Sequence, residues 1–141
     1  MKTSTRVFYK DTDKMGVVYY ANYLYWFEIG RAEYMRSIGC SYKELEEKNY
    51  LMPVIEALCK YHHPATYDET IEIDTSIGSI SKLKLRFDYK IFRKDDMKLL
   101  AEGYTIHAYV DRNGKIQRLP QHLIDLLNSP EDNNSKSFLN N

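Results

Sequence analysis

Hydrophobic and polar positions change their period once along this chain, and the change divides it in two. From Asp11 to Ile38 the apolar residues recur at helical spacing. Tyr23, Trp26, Phe27, Gly30, Tyr34 and Ile38 fall at i, i+3, i+4, i+7, i+11 and i+15, one stripe of an α-helix. Leu24, Tyr25, Ile29, Ala32 and Met35 lie off that stripe. The segment is therefore apolar nearly all round, and is expected to have protein on most sides. Asn22 is the expected N-cap, and Gly39 stands where a C′ residue belongs. Ser41 offers a cap to a short polar helix, YKELEEKN, with Glu44 at the capping-box position.

From Met52 onward the period falls to two. Met52 to Tyr61 is strand-like but alternates unevenly, and Pro64 ends it or marks an edge. Glu69 to Ile77 puts Ile71, Ile73, Thr75 and Ile77 on one face and Glu72, Asp74 and Ser76 on the other. Gly78-Ser79 reads as a turn. Leu83, Leu85, Phe87, Tyr89 and Ile91 then alternate with Lys84, Arg86, Asp88 and Lys90, and Lys94-Asp95-Asp96 reads as the next hairpin turn. Leu100, Glu102, Tyr104, Ile106, Ala108 and Val110 form one parity of a further strand. Asp111-Arg112-Asn113-Gly114 is a strong turn signal. Pro120 can occupy N1 of a last short helix carrying Leu123, Ile124, Leu126 and Leu127. Ahead of the long helix, Thr5 to Tyr9 reads as a strand. The order predicts an α+β domain, one antiparallel sheet wrapped around a long central helix. Residues 1–128 form that single domain, and 129–141, SPEDNNSKSFLNN, a polar tail expected to fray.

Composition narrows the function. At 141 residues the chain has room for one real core and little more. Zero formal net charge argues against a nucleic-acid footprint and a polybasic membrane surface. The start, MKTSTRVFYKD, has no apolar core of a secretory signal, and no apolar run is long enough to span a bilayer. Cys40 and Cys59 have no metal-like spacing, so reduced thiols in a cytoplasmic protein are expected. The 13 tyrosines suit a core or interface edge as well as a site, because each buries a large ring and keeps a polar tip.

Asp11-Thr12-Asp13 is the main candidate for chemistry. An acidic loop feeding a buried helix sets a possible base beside backbone N–H donors. The same carboxylates could instead satisfy nearby backbone donors. A metal site needs more oxygen ligands than this loop offers. A phosphoryl-transferring aspartate motif belongs on a parallel sheet, which the long hairpin strands oppose. His62 and His63 would point to opposite faces of a strand, and His107 and His122 have no partner at metal-ligand spacing. There is no Gly-rich phosphate loop, no G-x-S-x-G and no Cys–His signature. Lys82, Lys84 and Arg86 share one strand parity, either as a solvated face or as a patch for the phosphates of a nucleotide-like ligand.

At this point a family resemblance enters. RVFYKDTDKMGVVYYANYLYWFEIGRAEYMRSIG resembles the opening of the hotdog-fold acyl-CoA thioesterases of the 4-hydroxybenzoyl-CoA thioesterase type, nearest the bacterial Tol–Pal-associated branch. YHHPATYDETIEI resembles their second signature, and the likeness runs from Thr5 to Val110. It implies hydrolysis of an acyl-CoA to free acid and CoA, with no metal and no cofactor, since CoA is part of the substrate. An acyl-carrier protein is the other possible acyl donor. The resemblance also implies a homodimer or homotetramer with sites between chains. Asp13 matches the catalytic carboxylate, acting as general base or as nucleophile. Tyr20 aligns with the residue whose backbone N–H polarises the thioester carbonyl. Many relatives carry His at or beside Tyr20, and Tyr keeps only the backbone role. Gly16 matches the loop glycine, and Asn22 and Tyr23 the Asn-Tyr helix entry. Val17 beside Gly16, and His63 and Tyr67 within the second signature, belong to the expected substrate-binding set, with Lys82 and Lys84 carried over by position. Two alternatives stay open. One is a non-catalytic acyl- or partner-binding module on the same fold. The other is a hydratase or dehydratase, whose catalytic His near the helix start has no counterpart between Asp11 and Ser41.

Overall fold

The structure is a computed structural model that describes residues 1–128, so the polar tail lies outside the described residues. Its elements run β1 (Lys2–Arg6), a single 3-10 turn (Tyr9–Asp11), α1 (Asn22–Ser37), α2 (Tyr42–Glu47), β2 (Val54–Tyr61), β3 (Thr70–Ile80), β4 (Lys84–Arg93), β5 (Lys98–Ala108) and α3 (Gln121–Asn128). The strands make one antiparallel sheet in the order β1-β3-β4-β5-β2. The sheet folds across α1, the arrangement the period change predicts.

The first strand begins earlier than its β-branched residues suggest. β1 pairs Lys2 with Asp74 through Arg6 with Thr70, while Val7 is already buried in the core and Phe8 leads into the 3-10 turn. The predicted stripe on α1 is buried from Tyr23 to Tyr34, but Ile38 is a half-buried C-cap and Met35, expected off the stripe, closes the buried face instead. Tyr23, Trp26, Phe27, Gly30, Tyr34 and Met35 are buried, and Phe27 stacks on Tyr89 with ring centroids 4.2 Å apart. A Cβ on Gly30 would collide with Thr75 Oγ1 and Ile73 Cγ2, so glycine sets how closely the helix lies on β3. The far side of α1 is open in the single chain, with Leu24 and Tyr25 40% and 55% exposed, contrary to the expectation of cover on most sides. Asn22 is the first helical residue rather than the N-cap. The far end closes as expected: Gly39 takes φ +75°, its N–H donates to Arg36 O, and Cys40 N–H donates to Met35 O. Ser41 Oγ accepts Glu44 N–H at 3.2 Å and starts α2.

Two bulges explain where the alternation misleads. Gly78-Ser79 is not a turn: it lies within β3, at a register shift against β4, and the chain reverses at Ser81–Leu83. In β5, Ile91 pairs with Ala101 and Phe92 with Leu99, which leaves Leu100 as the extra residue. Leu100 and Ala101 are both buried, and from there Thr105, His107 and Tyr109 face the helix. The apolar parity of Tyr104, Ile106 and Ala108 lies on the outer face instead. The polar residues turned inward satisfy one another. Tyr89 OH and Thr105 Oγ1 are 2.6 Å apart, Thr105 Oγ1 and His107 Nε2 2.9 Å, and His107 Nδ1 and Met52 O 2.9 Å. Pro120 caps α3 from one residue outside, and Leu123, Ile124 and Leu127 pack inward.

Candidate functional site

The acidic loop is a small hairpin. Asp13 N–H donates to Val17 O at 2.8 Å, Thr12 bridges Val18, and Gly16 makes the turn at φ +81°. A second layer holds it in place: Val17 bridges Thr66, and Val18 N–H donates to Ala65 O at 2.9 Å. The second signature is therefore the shelf on which the first one rests. Asp11 O accepts both Tyr19 N–H and Asn22 Nδ2, each at 2.9 Å, so the Asn22 side chain locks the helix start to the loop. Tyr23 is buried beneath, and its hydroxyl accepts Ala65 N–H at 3.1 Å.

The two carboxylates have different environments. Asp11 Oδ2 accepts Phe8 N–H at 2.8 Å and closes the 3-10 turn. Asp13 is exposed; Oδ1 accepts Met15 N–H at 2.8 Å and Oδ2 makes no hydrogen bond among the described residues. Asp11 Oδ1 also makes no hydrogen bond among the described residues, so the two differ in exposure: Asp11 is half-buried at the 3-10 turn and Asp13 stands open on the hairpin.

The helix start is narrower as a donor site than the sequence suggests. The N–H groups of Asn22, Tyr23 and Leu24 already donate to the carbonyls of Tyr19, Tyr20 and Ala21. Among the described residues, the N–H groups of Tyr20 and Ala21 are the ones near this end without an acceptor. Tyr61, at the end of β2, donates its hydroxyl to Tyr20 O at 2.9 Å and packs edge-on against Tyr23, with centroids 5.1 Å apart. Sequence reading missed this anchor, because only the fold brings Tyr61 to a residue 41 positions away.

The other candidates are dispersed. His63 lies beyond the end of β2, exposed, its N–H on Leu100 O. Tyr67 stacks edge-on against Tyr9 at 5.7 Å beside the loop. Lys82 and Lys84 sit at the β3–β4 reversal, where Ser81 N–H donates to Lys84 O. Tyr61 pairs with Ala101, and Ala101 with Ile91, seven residues up β4 from Lys84. At roughly 3.3 Å per residue these lysines lie about 20 Å from the loop within one chain. Arg86 is a structural residue, held by Asp88 at 2.8 Å and lying 4.1 Å over the Tyr104 ring. Among the described residues no helix is long and apolar enough to cross a membrane.

Comparison with known proteins gives this geometry a context. A family model described as "Thioesterase-like superfamily" matches residues 7–127. The Escherichia coli protein named acyl-CoA thioester hydrolase YbgC is 32% identical over 120 residues, covering 84% of this chain and 89% of that one. The crystal structure of DHNA-CoA thioesterase from Staphylococcus aureus superposes with a TM-score of 0.83 at 29% identity, covering 99% of this chain and 91% of that one. A mutant of 4-hydroxybenzoyl CoA thioesterase, complexed with 4-hydroxybenzoyl CoA, shares the fold at TM-score 0.81 and 18% identity, over 90% and 97% of the two chains. With a hotdog sheet around a buried helix, and a family match that begins at Val7 and runs into α3, this chain belongs to the thioesterase-like superfamily.

Proposed function

We propose that the protein is an acyl-CoA thioesterase in which Asp13 attacks or activates water, and the Tyr20 N–H receives the developing oxyanion. One observation carries this reading. The loop holds the Asp13 carboxylate exposed while Asp11 is half-buried at the 3-10 turn, and the adjoining helix start leaves the Tyr20 and Ala21 N–H groups without acceptors among the described residues. A thioester carbonyl supplies what both groups lack. Its carbon is the electrophile for a carboxylate or a carboxylate-bound water. Its oxygen gains charge in the tetrahedral state and accepts the N–H bonds. Collapse expels the CoA thiolate, which leaves without a strong general acid. With water as nucleophile, Asp13 takes one proton and the acid product is released. With Asp13 as nucleophile, a mixed anhydride forms and water cleaves it.

The reading includes a second chain. β2 is an edge strand whose outer side has no partner among the described residues, and it exposes Val54, Ile55, Leu58 and Tyr61 at 44%, 51%, 38% and 47%. Open apolar edges of this kind pair with another strand. Antiparallel pairing of β2 with its copy would extend the sheet and cover the loop, giving a dimer as the smallest working unit, with a tetramer as its doubling. The partner's Lys82 and Lys84 would then stand at the same end of the joined sheet as Asp13, placed for the phosphates of CoA.

The test is thiol release from short, long and aromatic acyl-CoAs by the wild type and Asp13→Asn. The change is nearly isosteric on an exposed loop, so the fold is retained. The expected loss in kcat is ~10²–10⁴, the range for a positioned base, with KM little changed. Wild-type turnover in Asp13→Asn would make the carboxylate structural and end this assignment.

A further inference from the structure

A cavity lies on the helix side of the sheet, at the Val54 end of β2 and away from the Asp13 loop of the same chain. This cavity of about 410 Å³ is lined by Arg31 of α1, Tyr42 of α2, and Leu51, Met52, Pro53 and Val110. That is within the size range of ligand pockets. Its polar groups lack an anionic partner: Arg31 has the Tyr42 and Tyr89 hydroxyls beside it. Arg31 is half-buried, and among the described residues no carboxylate lies within 4.0 Å of it. The Tyr42 hydroxyl is buried and, among the described residues, meets no partner in full hydrogen-bond geometry, with Arg31 the guanidinium beside it. Burial drives the Tyr42 phenol upward, and the nearby Arg31 guanidinium pulls the other way, as it also does at Tyr89. The two acids on the rim, Glu28 and Glu46, are exposed, and neither pairs with Arg31. A half-buried guanidinium with only neutral hydroxyls beside it is costly unless an anion arrives. The acceptor that best matches a planar fork of N–H donors plus one O–H is a carboxylate.

The dimer geometry says whose substrate the cavity serves. In an antiparallel β2 pair related by a two-fold axis, the Tyr61 end of one strand meets the Val54 end of the other. Tyr61 marks the Asp13–Tyr20 site, and Pro53 and Met52 mark the cavity. One subunit's cavity thus opens beside its partner's reactive loop, where the acyl end of a bound thioester would project. We propose that Arg31 and Tyr42 form the acyl-end subsite of the partner's active site, selecting acyl groups that end in a carboxylate, the mono-CoA thioesters of short dicarboxylic acids. This inference rests on the thioesterase reading and on the β2-paired dimer, and adds the substrate class.

The test uses a chain-matched pair, succinyl-CoA against butyryl-CoA, read as the ratio of their kcat/KM values. The wild type should favour succinyl-CoA by tenfold or more. Arg31→Met should cut that ratio about 10–100-fold, the worth of a charge-assisted bidentate pair, Arg31→Lys should restore part of it, and Tyr42→Phe should cut it several-fold. In parallel, titration of Asp13→Asn and of the Asp13→Asn/Arg31→Met double variant with both CoA esters reads binding without turnover. An Arg31-dependent preference for succinyl-CoA in binding, with no turnover by the wild type, would keep the subsite and remove the thioesterase reading. A wild type that favours butyryl-CoA overturns the proposal. So does an unchanged ratio in folded Arg31→Lys and Tyr42→Phe, or an equal loss on both esters with weakened dimers, which would make Arg31 an interface ion-pair residue.

Discussion

At the scale of single residues, two aspartates separated by one threonine have different roles because of what their oxygens touch. Asp11 closes a 3-10 turn through Phe8 N–H and carries the helix start on its carbonyl, half-buried, while the Asp13 carboxylate is exposed. An asparagine at Asp11 can still accept that N–H through its amide oxygen. Asp11→Asn is therefore expected to change kcat far less than Asp13→Asn; equal losses in steady-state assays would mean that the carboxylates act as a coupled pair. The pH dependence of stability has a separate source. Burial pushes His107 down from 6.5 to about 4, opposed by its hydrogen bond to Met52 O. The folded ring stays neutral where an unfolded one is charged. Its contribution is complete above pH 6.5, is lost as pH falls, and levels off below pH 4. At roughly 1.4 kcal/mol per pH unit the loss is at most about 3.5 kcal/mol. Urea unfolding at several pH values should show this slope in wild type and not in a folded His107→Gln variant.

At the scale of elements, the close approach of α1 to the sheet rests on one missing side chain. Gly30 faces Thr75 and Ile73, which are fully buried on a strand that is paired on both sides. Alanine gains up to about 1 kcal/mol in helix propensity. Overpacking costs about 1–3 kcal/mol, and here the contacts are short side chains with no room to retreat. Gly30→Ala is thus expected to lower the thermal midpoint, and an unchanged or raised midpoint would show that the helix can lift. The bulge at Leu100 makes a related point. One extra residue exchanges the two faces of β5, so the polar parity turns inward and is tolerated because Tyr89, Thr105, His107 and Met52 O form a continuous hydrogen-bonded chain.

At the scale of the whole molecule, the proposed pairing of β2 with its copy is the point on which shared sites can be tested. Charges on its exposed positions, Ile55→Lys with Leu58→Lys, should give a folded monomer by light scattering that has lost thioester hydrolysis. An active monomer would rule out shared sites. Complementation is a sharper measurement. If Asp13 acts on a substrate whose phosphates are held by the partner's lysines, Asp13→Asn and Lys82→Glu/Lys84→Glu are each inactive alone. After joint refolding, each mixed dimer has one site with both lesions and one with neither. Roughly a quarter of wild-type activity should return at statistical mixing. No recovery from mixed dimers confirmed by mass would place these residues in one chain's site.

By itself the sequence determined the change of period from helix to sheet, the buried stripe of α1, the inner faces of β3 and β4, and the stops at Gly39 and Asp111–Gly114. These are local properties: a period of 3.6 or 2 and a residue's preferred φ appear within a few positions. It also marked the Asp13 loop and the Tyr20 helix start through a resemblance carried by contiguous motifs. Tertiary structure alone decided the rest. Which N–H groups remain free depends on the carbonyls that the helix start folds onto. That Asp11 is half-buried and Asp13 exposed depends on the turn at Phe8. The inner parity of β5 depends on a bulge visible only against β4. The meeting of Tyr61 with Tyr20 depends on packing between elements 41 positions apart, and that of Arg31 with Tyr42 on how α2 folds back against α1, which no spacing rule reaches.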